Sequence, residues 1–99
     1  MRNKYDISEF VDINTIQSVT TKIIERVKEK RKKMKISRQT LSEKTGVSYA
    51  SIRRFEETGE ISFSSLLKIA RELDALEDFD KLFTSEKITN LKDYWVKWK

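Results

Sequence analysis

The sequence predicts an all-α fold of five short helices joined by tight corners. Three observations carry that expectation. Proline is absent and glycine occurs only twice, at positions 46 and 59. Apolar residues recur at steps of three and four along separate stretches, the spacing of one helix face. Serines and the two glycines stand between those stretches, and they are the residue types that start and stop helices.

Residues 1–14 set Ile7, Phe10, Val11 and Ile13 among acids and read as an ordered arm or a short helix. The first clear helix carries Ile16, Val19, Ile23 and Val27 on one stripe, extended by Met34 a heptad later. Asn14 or Thr15 caps its start. Ile36-Ser37 breaks the pattern, and Ser37 caps a second short helix whose inner face is Leu41 with Ser42 and Thr45. Gly46 stops that helix in the left-handed conformation. Val47 fills the corner, and Ser48 caps a third helix with Ile52 and Phe55 inward. After the turn Thr58-Gly59-Glu60, Ser62 caps a fourth helix with Leu66, Ile69, Ala70 and Leu73 inward. A fifth spans Leu76 to Phe83, with Leu76, Phe79, Leu82 and Phe83 apolar. Helices this short do not persist alone in water, so packing must stabilise them. Neither an internal repeat nor a low-complexity linker interrupts the chain.

A chain of 99 residues makes one domain with a single modest core. Charged residues are 37% of it, the formal charge is +5 and the pI is near 9.5, so polyanions suit it as partners. The distribution of charge says more than its sum. From Lys22 to Arg38 nine basic residues face two acids, whereas from Asp74 to Glu86 five acids face Lys81 alone. One end of the molecule is basic and the other acidic. Cysteine is absent, which excludes disulfides, thiolate catalysis and cysteine zinc sites. Histidine is absent too, which removes the commonest metal ligand and the commonest general base. No nucleophile–base set stands out, so neither an enzyme nor a cofactor is expected. No apolar run reaches membrane-spanning length, and the polar start at Met1–Asp6 is unlike a signal peptide. The expectation is a soluble, cytoplasmic, nucleoid-associated protein.

The most demanding spacing lies between Gln39 and Glu56. A small residue at Ser42 permits close helix approach, Gly46 reverses the chain, and Val47 and Ser48 restart it so that Ile52 points back onto Leu41. Helix, tight turn and second helix in this order set one helix into a major groove while its neighbour crosses the DNA backbone. Together with Glu-Arg-Val-Lys-Glu-Lys-Arg at 25–31, Glu56, and Leu66-Leu67-Lys68-Ile69-Ala70, this pattern resembles the XRE-type family of lambdoid repressor and Cro helix-turn-helix domains, which includes antitoxins. The likeness runs from Ile23 to Phe83, about three fifths of the chain. It implies a five-helix lambda-repressor-like DNA-binding domain over residues 16–83. An N-terminal arm (1–15) and a C-terminal extension (84–99) flank it.

The resemblance also implies roles for individual residues. Tyr49, Ala50, Arg53 and Arg54 on the exposed start of the third helix become candidates for base contact. Arginine can grip guanine through two hydrogen bonds, and alanine can meet a thymine methyl. Lys30, Ser37, Arg38 and Ser48 become candidates for the DNA backbone. Arg38 stands where the family usually has glutamine. Arg31 and Glu56 match a structural ion pair between the first and third helices. The bland alternative for the two arginines of the third helix is a solvated face, and for the whole pattern a bundle that binds no DNA. The turn Glu57-Thr58-Gly59-Glu60 is acidic where relatives are often basic, which disfavours phosphate contacts there.

The resemblance leaves the tail unexplained. Ile88, Leu91, Trp95 and Trp98 share one helical seam, while Tyr94, Val96 and Trp98 alternate equally well as a strand. So much aromatic surface asks for a partner. The options are packing on its own domain or on the arm, homodimerisation, or docking of a second protein. The helices of the shared domain leave no obvious unused apolar face in this reading. The leading functional expectation is a dimeric repressor on a pseudo-palindromic operator in double-stranded DNA. The alternative is an antitoxin that holds a toxin through its terminal extensions, and a third reading is a purely structural interaction module.

Overall fold

A computed structural model describes residues 14–84. The arm residues Ile7, Phe10, Val11 and Ile13, and the tail residues Ile88, Leu91, Trp95 and Trp98, lie outside the described residues. Within that span the chain forms α1 (Ile16–Lys33), α2 (Arg38–Thr45), α3 (Tyr49–Thr58), α4 (Phe63–Glu72) and α5 (Leu76–Asp80). Among the described residues there is no strand.

Local chemistry sets most helix ends. Thr15 caps α1 in a reciprocal box with Ser18, each side chain bonding the other residue's backbone N–H at 3.0 Å. Ser37, Ser48 and Ser62 accept from the N–H groups of Thr40, Ser51 and Ser65, and so satisfy donors at the starts of α2, α3 and α4. Gly46 and Gly59 end α2 and α3 at φ +80° and +85°. Two other ends use residues that rarely adopt positive φ. After α1, Lys35 turns left-handed (φ 57°), the Ile36 N–H reaches back to the Arg31 carbonyl, and the Lys35 N–H reaches that of Lys32. After α4, Asp74 (φ 59°) repeats the motif, with Ala75 bonded to Ala70 and Asp74 to Arg71. Both are Schellman closures.

α2 packs against α3 and α4, α1 against α3, and α4 against α5. The core they enclose is Ile36, Leu41, Val47, Ile52, Ile69 and Leu73, with Val27 and Ile61 at its edge. Ile36, which the sequence pattern left as a break, is buried because the closure at Lys35 folds it back under α1.

Two expectations need correction. α5 ends at Asp80 rather than Phe83, and the chain runs on as turns to Thr84. It starts without a side-chain cap at Ala75, and Phe83 adopts φ 66° and is fully exposed. The shared helices also do leave an apolar face open. A groove of about 490 Å³ lies between α1, α4 and α5, floored by Val27, Leu66, Ile69 and Phe79. Along this side α1 rests chiefly on α3, while α4 rests on α2 and α5.

The two glycines give a test of why each is there. A Cβ at Gly46 would meet nothing within 4 Å, so only its dihedral angles demand glycine. A Cβ at Gly59 would overlap the Thr20 methyl, and the Thr20 hydroxyl is tied to the Ile16 carbonyl at 2.7 Å. Gly46→Ala should therefore cost about 1–2 kcal/mol from left-handed strain. Gly59→Ala should cost distinctly more, because the α1–α3 contact must also shift. Thermal or urea unfolding of the two variants checks the order.

Candidate nucleic-acid interface

α3 divides cleanly into two faces. Ile52, Phe55 and Glu56 point inward and are buried, while Tyr49, Ala50, Arg53 and Arg54 lie on the opposite side and are exposed. Steps of three and four place those four on one continuous patch. Ser48 sits exposed at the start of that patch, and Ser37 sits exposed at the start of α2. Both hydroxyls are engaged as caps, and each also donates within its own helix start: Ser37 to the Thr40 hydroxyl at 3.0 Å, Ser48 to that of Ser51 at 2.8 Å. The corner between α2 and α3 is fastened by Thr45. Its hydroxyl donates to the Leu41 carbonyl at 2.7 Å and accepts from the Val47 N–H at 3.1 Å.

The arginines of the α3 patch are paired in the free protein. Arg53 Nε donates to Glu57 Oε2 at 3.2 Å, and Arg54 Nη2 bonds Glu60 Oε1. The acidic turn that the sequence marked as a departure thus supplies the partners of both. All four side chains are more than half exposed. Pairs of this kind contribute about 0–1 kcal/mol, so a competing anion or base edge displaces them at little cost.

Beneath the patch lies a buried ionic cluster. Arg31 donates from Nε to Glu56 Oε2 at 2.9 Å and from Nη2 to Oε1 at 3.2 Å, and its Nη1 donates to the Ile36 carbonyl at 3.0 Å. Arg38 Nε donates to Glu56 Oε1 at 2.8 Å. The Glu56 side chain is 1% exposed, that of Arg31 9% and that of Arg38 36%, so the cluster opens to solvent only through Arg38. The sequence pointed to Arg31 and Glu56 but not to Arg38, 18 residues from its partner. The only signal was arginine in place of the family's glutamine, read as a change at the DNA backbone. Burial pushes the Glu56 carboxyl up, but hydrogen bonds from Arg31 and Arg38, with their charges, outweigh it and hold the group below the ordinary carboxylate range. The Arg38 guanidinium is raised in turn, first by its bond to Glu56 and to a lesser extent by the Tyr49 hydroxyl.

Lys30, exposed on α1, lines the α1/α4/α5 groove with Arg26 and Lys33. Among the described residues no group of three or more carboxylates is placed to hold a metal ion, and no helix is long and apolar enough to cross a membrane.

A helix-turn-helix family model matches residues 27–78, from the middle of α1 into α5. Because that match covers more than half of the chain, the protein belongs to the XRE-type helix-turn-helix family of DNA-binding transcription regulators. The five-helix arrangement is that of the lambda-repressor-like domain. Among curated proteins and solved structures, none matches.

The cluster yields a prediction about stability and pH. Removing one partner of a buried pair strands the other charge, so Arg31→Met or Glu56→Gln should cost about 3–5 kcal/mol. Lys32→Met, on an exposed position of the same turn, should stay within about 0.5 kcal/mol of the parent. Folded Glu56 binds its proton more weakly than the unfolded chain does. Its contribution is thus complete above the usual carboxylate pKa of about 4.3 and fades as pH falls below it toward the depressed folded value. The stability gap between the parent and Glu56→Gln should therefore narrow below about pH 4. Urea titrations at several pH values measure that gap, and a constant gap would remove Glu56 as its source.

Proposed function

We propose that this regulator is a dimeric repressor that occupies a pseudo-palindromic operator and blocks transcription by occlusion, in the cytoplasm on the nucleoid. The observation that carries the reading is the exposed α3 patch, presented on a helix whose other side is locked by Glu56. Tyr49, Ala50, Arg53 and Arg54 then face base edges, with Arg54 the main hydrogen-bonding reader. Ser37 and Ser48 stand at helix starts, where N–H groups and the helix dipole favour phosphate. Arg38, held through Nε, offers its remaining nitrogens to the backbone. Lys30 takes part only through the general positive field, since it lines the groove. Two copies must place their α3 helices one DNA turn, about 34 Å, apart. Ile88, Leu91, Trp95 and Trp98 in the C-terminal extension supply the interface, because indoles bury much area with few torsions to freeze.

The two indoles also favour a second reading. An antitoxin of this family would use the same DNA face to autorepress its operon, and would hold its toxin through the extension. Copurification of a second chain by way of Trp95 and Trp98 distinguishes that role from plain dimerisation.

Arg54→Ala should lose about 1–3 kcal/mol on the operator and little on random duplex. Arg38→Ala should weaken both nearly alike and reduce the salt slope by about one unit. Circular dichroism is needed as a folding control for Arg38→Ala, which also removes a donor from Glu56. Identical salt titrations for the two variants on both duplexes would overturn the division into base reader and backbone contact.

A further inference from the structure

The α1/α4/α5 groove is apolar on its floor and charged unevenly on its rim. Arg26, Lys30 and Lys33 follow one another along α1 at steps of four and three; Glu29 stands among them and pairs with Lys33 at 3.3 Å, so the α1 edge keeps a net positive charge centred on Arg26 and Lys30. Asp78 stands on the opposite side. An occupant that fits must bring apolar side chains together with negative charge on the flank facing α1.

Two stretches of this chain lie outside the described residues, and their charges differ. The N-terminal stretch has its two cations, Arg2 and Lys4, at the far end; residues 6–13 carry Asp6, Glu9 and Asp12 with no basic residue, interleaved with Ile7, Phe10, Val11 and Ile13. Residues 85–99 carry Lys87, Lys92, Lys97 and Lys99 against Glu86 and Asp93, the wrong sign for the α1 edge. Length agrees with charge. Phe10 is five residues before Thr15, the cap of α1, and five extended residues reach about 16 Å. Eleven residues of helix rise about the same distance, which brings Phe10 level with Val27 when the segment folds back along α1. Ile7 reaches the level of Lys33 by the same measure.

We propose that residues 6–13 dock in cis into the α1/α4/α5 groove, with Phe10 over Val27 and the acids along Arg26, Lys30 and Lys33. The arm thereby completes the core on the side that the five helices leave open. It also shields part of the basic α1 face from polyanions, and it leaves the tail for assembly. The inference stands whether or not the repressor reading does, and its tests use no DNA.

The chain has no cysteine, so introduced thiols are the only ones present. In the full-length Phe10→Cys/Val27→Cys variant, a short bis-maleimide should give an intramolecular cross-link at monomer mass. Trp98→Cys/Val27→Cys should cross-link far less. Preferential cross-linking of the second pair would overturn the proposal in favour of the tail. Products at dimer mass would overturn it in favour of a second copy, and equal yields for both pairs would overturn docking altogether. Charge gives an independent test. Glu9→Lys should lower the melting temperature by about 2–6 °C, and adding Lys30→Glu should restore at least half of the loss. An unchanged melting temperature in Glu9→Lys, or no recovery in the double variant, would also overturn it.

Discussion

The carboxylate of Glu56 is the point on which three segments of this fold converge. Arg31 brings α1 to it, Arg38 brings the first turn of α2, and the third nitrogen of Arg31 ties in the Ile36 carbonyl from the connection between them. Burying a carboxylate costs several kcal/mol, and one guanidinium does not always offset that. Two guanidinium groups together supply three hydrogen bonds, and no buried side-chain polar atom of the described residues is left unpartnered. The consequence is geometric more than energetic. Apolar contacts tolerate sliding, whereas a shared carboxylate fixes how far α3 is rotated about its axis. The rotation of α3 decides which four residues face outward.

That rigid underside contrasts with the loose chemistry above it. Arg53 and Arg54 are held by Glu57 and Glu60 in exposed, readily exchanged pairs. Under the proposed reading the two acids act twice. They keep the arginines extended along the helix surface in the free protein, and near DNA they repel phosphate. A duplex that offers no base contact to the arginines then gains little from α3, because freeing each arginine also leaves an unpaired carboxylate beside the backbone. Positive charge that attracts DNA regardless of sequence comes instead from Arg38 and from the part of α1 that lies outside the groove. Affinity and discrimination are thus carried by different helices.

Much of this was legible in the sequence, and what was legible is local. Caps at Ser37, Ser48 and Ser62 and the stop at Gly46 depend on groups within four residues, so pattern alone locates them. The choice between Asn14 and Thr15 was not settled by residue type, because both are good caps; the reciprocal bond with Ser18 selects Thr15. The closures at Lys35 and Asp74 were invisible, since neither is glycine and their hydrogen bonds, not their propensities, hold them left-handed. The bond from Arg38 to Glu56 was invisible for a related reason. The neighbours of Arg38 in sequence say only that it begins a helix, whereas its partner arrives from another helix once α2 and α3 have closed on their corner. The overlong fifth helix came from counting apolar residues as though each must be buried.

The exposed apolar residues around α5 set the terms on which so small a domain exists. Six side chains make the central core, and Leu76, Leu82 and Phe83 remain on the surface at 41%, 47% and 100% exposure. Short helices draw their stability from tertiary packing, and α5, at five residues and without a side-chain cap, has the least of its own. The open groove lies against that same helix, so whatever fills it also fixes the position of α5. Stability of the fold and availability of its apolar edge are then one quantity. An occupant that seals the groove covers Leu82, which lines it, and holds α5 in place, so that Phe83, exposed in the turns after α5, is offered to a partner only from a chain so fixed.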